Sequence, residues 1–178
     1  MSDRSGQASA LTSLIPIAAD REDELRAYLR GLPRGLESPL ARLPGTHVAR
    51  WVIIDRLPSD PPEPDRLEAS YLLFTASVDG EVESYLRELC EGLRAEAERI
   101  WGCCVGFPGA GDAVAFTAWV LDHHIPTSFF VAAYPDATVS EVRNSLAARE
   151  QLLRFVLQSA SMDPHARLEA FRSEFPSR

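Results

Sequence analysis

The sequence predicts an α+β domain: an antiparallel sheet with helices on one face and further helices at its C-terminal end. Three observations carry that expectation. Short apolar or alternating stretches, T-H-V-A-R-W-V-I-I-D and Y-L-L-F-T-A-S-V among them, are separated by segments with helical spacing. They follow the order strand, helix, strand, strand, helix, helix, strand, helix. A connection with four prolines joins the second and third strands, which reads as the link of an antiparallel pair.

The first strand is expected over residues 11–18, where Leu11, Ile15 and Ile17 share a face and Pro16 marks an edge or an end. Asp20 then caps a helix in which Leu25, Tyr28, Leu29 and Leu32 recur at helical spacing until Gly31 and Pro33 stop it. Residues 33–45 form a loop leading into the second strand, 46–55. Alternation along that strand places His47 with Ala49, Trp51 and Ile53, and Arg50 with Val48, Val52 and Ile54. Neither face is plainly the wet one.

Residues 57–68 cannot hold regular structure, because the prolines remove donors and fix the backbone. Their acidic groups, Asp60 and Asp65 with neighbouring Asp55 and Glu68, read as solvated. The third strand, 71–78, directs Leu72, Phe74, Ala76 and Val78 to the helices and Tyr71, Leu73, Thr75 and Ser77 to the other side. A helix opening at Asp79 and Gly80 carries Val82, Tyr85, Leu86, Leu89 and Leu93, and runs on towards Ile100 and Trp101. The loop W-G-C-C-V-G-F-P-G-A-G ends it. A further helix from Asp112 presents Val114, Phe116, Ala118, Trp119 and Leu121 before His123, His124 and Pro126. A fourth strand is expected at S-F-F-V-A-A-Y, residues 128–134. Thr138 and Glu141 make a capping box for a long helix through Val142, Leu146, Leu152, Leu153, Phe155, Val156 and Leu157. A short helix over residues 165–175 follows.

This is the split βαβ order, β-α-β-β-α-β, of a ferredoxin-like antiparallel sheet with an inserted helix and additional C-terminal helices. Residues 1–10 read as a flexible leader and 11–178 as a single domain, the size that 178 residues allows. A sheet face bearing Trp51, Ile53 and Leu73 needs a cover. The C-terminal helices supply it, or two copies pair their sheets.

Composition narrows the function classes. An apolar fraction of 46% and a charged fraction of 25% suit a soluble globular chain, and no apolar run approaches the roughly 18 residues of a membrane span. The first ten residues have no apolar core of a secretory signal, so the cytoplasm is the expected location. The net charge of −8 opposes nucleic acid and anionic lipid as partners. The chain has no lysine, which excludes a Schiff-base lysine and a Walker A lysine. Cys90, Cys103 and Cys104 lack metal-site spacing and read as reduced thiols, so no structural metal is expected.

With its strand order and its mixed apolar and hydroxyl sheet face, the chain resembles the dimeric α+β barrel superfamily. Within it, S-P-L-A-R-L-P-G-T-H-V-A-R-W-V-I-I-D, Y-L-L-F-T-A-S-V-D-G, W-G-C-C-V-G-F-P-G and F-F-V-A-A-Y-P-D-A-T-V look like poorly characterised bacterial proteins loosely associated with haem peroxidases and other oxidative enzymes. The resemblance covers residues 11–157 and consists of fold phrases without a catalytic signature. It implies the fold, a cavity and a lean toward small apolar molecules or haem, and it transfers no catalytic residue. A homodimer is expected separately, from the need to cover the sheet face.

The candidate residues follow from these expectations. A ligand on the sheet face would meet Trp51, Leu73, Thr75, Ser77 and Tyr134. His47, Arg50 and Tyr71 are the polar groups available to an enzyme, with His47 as proton carrier and Arg50 as anion orienter. Residues three apart on a regular strand face opposite ways, so His47 and Arg50 act together only across a bulge or with a strand start at Val48. His47 or His124 could ligate haem iron, although no attachment motif accompanies them. His123 and His124 otherwise suit the C-terminal end of a helix dipole. Cys103 and Cys104 follow a helix C-terminus, the wrong end for a reactive thiolate. Three readings result: a binding protein for an apolar molecule or haem in an oxidative pathway, a cofactor-independent monooxygenase or isomerase, and a protein interaction module.

Overall fold

The computed structural model describes residues 3–57 and 65–176. It is a mixed α+β structure whose four-stranded sheet is antiparallel throughout. The strands are β1 (Arg4–Ser5), β2 (Ala8–Pro16), β3 (Thr46–Leu57) and β4 (Asp65–Asp79), in the order β1-β2-β4-β3. The helices are α1 (Glu22–Gly31), α2 (Val82–Gly92), α3 (Arg94–Trp101), α4 (Ala113–Asp122), α5 (Val139–Gln158) and α6 (Pro164–Glu174), with two short 3₁₀ turns before β3. The chain divides into two compact units, Met1–Val139 and Ser140–Arg178.

In the first unit the alternation of β4 decides the core. Leu72, Phe74, Ala76 and Val78 are buried with Leu11 and Ile15 of β2, Leu25 of α1, Leu86 and Leu89 of α2, Trp101 of α3 and Phe116 of α4. Trp51 of β3 joins this side. It stands opposite Phe74 in the β3–β4 register, stacks on it with centroids 5.4 Å apart, and meets the Trp101 edge at 6.0 Å. Trp101 also presents its face or edge to Phe74 and Phe116, so an aromatic column runs from the sheet into α4.

Five expectations need correction. Residues 128–134 are not a strand: the edge of β2 that would receive them is already taken. Residues 4–5 pair with 8–9 along it, and the backbones of His123 and Ile125 bond to Leu14 and Thr12 farther on. The segment left over is exposed, with Phe129 at 84% and Tyr134 at 79%. For the same reason the order found is not that of a ferredoxin-like sheet, because β1 occupies the place of the last strand. The leader is not free either, since β1 and the start of β2 lie within residues 1–10. The helix after Gly80 is broken at Leu93, whose backbone (φ −125°, ψ 37°) separates α2 from α3. Finally, most of the proline-rich connection, including Asp60, lies outside the described residues, but its end is not irregular: β4 begins at Asp65, where Asp65 and Arg66 pair with Leu57 and Arg56.

Candidate functional site

A β-bulge settles the relation of His47 to Arg50. Thr46 faces Val78 and Val48 faces Ser77, so His47 is the extra residue of β3. Its Nε2 lies 2.6 Å from Asp79 Oδ1 at the end of β4, and Asp79 Oδ2 accepts from the Val139 N–H at 2.9 Å. Arg50 instead lies on the sheet face away from the core, where its Nε donates to Thr75 Oγ1 at 3.0 Å. The two residues therefore serve separate networks.

The residues expected around a ligand are divided. Tyr71, Leu73, Thr75 and Ser77 share the face of Arg50, with Val52 opposite Leu73 and Ile54 opposite Tyr71. Trp51 points to the other face, into the core. Tyr134 is exposed in the segment after Pro126. The structure brings the hydroxyls of β4 together and leaves both aromatic members of the expected set elsewhere.

His124 closes a different cluster. Its Nδ1 is 2.9 Å from the Thr12 carbonyl oxygen and its Nε2 is 3.2 Å from Asp3 Oδ2, while Asp3 Oδ1 accepts from the Thr127 N–H at 2.6 Å. Burial acts most strongly on Asp3 and would raise its pKa. The hydrogen bonds from Thr127 and His124, with the imidazole charge, outweigh it and hold the carboxyl below its usual 3.8. Iron ligation by His124 would require one of these contacts to be given up. His123 Nδ1 is in turn 2.8 Å from the Trp119 carbonyl oxygen.

The three thiols are buried and free. Burial pushes the Cys104 thiol up to about 12. Burial also raises Cys103, more than Arg21 Nη2, 3.6 Å from its sulfur, lowers it. Neither offers a thiolate for nucleophilic chemistry. Among the described residues no group of His, Cys, Asp and Glu side chains could hold a metal ion. Arg26 binds Glu22 and Asp55, tying α1 to β3, so Asp55 is part of a structural ion pair.

The second unit carries the feature that sequence reading passed over. Phe155 of α5 is buried by Phe171 and Phe175, at centroid distances of 5.6 and 5.8 Å, and Gln151 Nε2 donates to the Glu174 carbonyl oxygen at 3.5 Å. Helical geometry puts Gln151, Phe155 and Ser159 on one face, the face that α6 covers. Val142, Leu146, Leu153 and Val156 lie on the opposite face and are 45 to 54% exposed, with Leu157 beside them at 78%. Residues 141–150 are exposed without interruption. The apolar positions of α5 are legible in the sequence as part of a long helix. The spacing of Val142, Leu146, Leu153 and Val156, alternating four and three with one place held by Arg149, is the signal of a helix-pairing seam.

Comparison with protein-family models, with characterised proteins and with solved structures gives no match in any of the three.

Proposed function

We propose that the chain is a protein interaction module, with α5 as its docking helix and the sheet unit as its scaffold. One observation supports this reading above others: an apolar stripe four turns long stands exposed on a helix whose other face is covered by α6 along its C-terminal half. Exposed apolar surface of this extent and regularity is the usual mark of a contact site. A helix-in-groove or helix-on-helix contact uses anchors at this i, i+4, i+7 spacing. The division of Trp51, Leu73 and Tyr134 among a core, a sheet face and a loop lends a ligand pocket no comparable support.

The test places a photoreactive amino acid at position 146 of the full chain and irradiates cells producing it. The expected result is a cross-link from position 146 to a second polypeptide, identified by mass spectrometry. A control at Leu36, exposed in the first unit, gives none. Absence of any intermolecular adduct at 146 would overturn the reading.

A further inference from the structure

Resting on that reading, we infer that the partner of α5 is a second copy of this chain, and that the two α5 helices pair antiparallel about a two-fold axis. The stripe is complementary to itself in that arrangement. Val142 of one copy faces Leu153 of the other, and Leu146 faces Arg149, whose aliphatic stem covers it while the guanidinium reaches water; Val139 is already buried in its own chain and takes no part. An antiparallel two-fold brings the same flank of each helix together. Arg143 and Glu150 share one flank, seven residues apart, so each Arg143 meets Glu150 of the second copy. Among the described residues, neither has an ion-pair partner within its own chain.

Charge distribution favours the same place. From residue 140 onward the sequence has six arginines against five carboxylates, so all of the net negative charge resides in the first unit. Two copies repel through their sheet units and meet least resistance along α5. A parallel pairing would set the flank of Arg143 and Glu150 against the other flank of the second copy, which carries Ser145 and Leu152, and leave both charges without an opposite partner.

Light scattering on the purified full chain at high micromolar concentration is expected to give the mass of two chains. Leu146→Glu with Leu153→Glu should give one chain with an unchanged thermal transition of the sheet unit. Arg143→Glu alone and Glu150→Arg alone should each weaken the dimer about tenfold, since both symmetric contacts turn repulsive. Combining the two exchanges restores opposite charges and should recover the original affinity. A monomeric wild-type chain, or a dimer that the combined variant fails to recover, would overturn the antiparallel pairing. If position 146 then cross-links to a different protein, the interaction module stands and the second copy falls; if it cross-links to nothing, both fall.

Discussion

Asp79 joins two elements that the sequence leaves far apart: one carboxylate oxygen lies 2.6 Å from His47 Nε2 on β3, and the other receives the Val139 N–H at the start of α5. The carboxylate is mostly buried, so both contacts exchange water for protein donors. Asp79→Ala is expected to cost about 1.5–3 kcal/mol, the range for hydrogen bonds to a charged group. Urea unfolding of the wild type and the variant measures it. A change below experimental error would mean that the bulge holds without its side-chain bond.

The Asp3 carboxyl sits below its usual 3.8 in the folded chain. A depressed carboxyl stabilises the fold above its unfolded value, and the contribution disappears as pH falls through the folded one. Asp3→Asn should therefore melt at a lower temperature than wild type at neutral pH, with the gap closing below pH 3.8. Melting curves across that range decide the matter. A gap that stays constant with pH would remove the ionic contribution.

Because Cys104 is pushed up to about 12 and Cys90 and Cys103 are also raised by burial, the folded chain holds its thiols in the unreactive form. Ellman's reagent at mildly alkaline pH should react slowly with the native chain and rapidly with all three cysteines after denaturation. Fast labelling of native Cys103 or Cys104 would show that the Gly102 to Gly111 loop opens.

Trp101 is 1% exposed and lies between Phe74 and Phe116 in edge contacts at 5.3 and 5.2 Å. Trp101→Ala should cost about 3–5 kcal/mol, the transfer and cavity contributions together. Trp101→Phe keeps most of the apolar contact and should cost much less. Equilibrium denaturation of both variants gives the comparison, and similar losses would mean that the indole, beyond its apolar bulk, matters here.

Much of this arrangement was legible in the residues. The alternation of β4 identified its buried face, because Leu72, Phe74, Ala76 and Val78 are all apolar whereas Tyr71, Thr75 and Ser77 carry hydroxyls. Alternation also placed Ala49, Trp51 and Ile53 together on β3. It could not say which face of β4 they share, since that depends on inter-strand register, and the pairing of Trp51 with Phe74 sent Trp51 to the core. The seven residues S-F-F-V-A-A-Y have strand composition, but composition does not report whether an edge is vacant. The α5 stripe was visible as a helix face, whereas its exposure follows from how α6 packs on the other side, a tertiary fact.

The edge of β2 has one further consequence. Asp3 grips Thr127 and His124, and the Gln7 N–H donates to the Pro135 carbonyl oxygen at 2.6 Å. During synthesis, residues 3–7 leave the ribosome long before residues 123–135 exist to meet them. The clasp at this edge is therefore made late, and until it closes the nascent chain travels with one margin of its central strand unsealed.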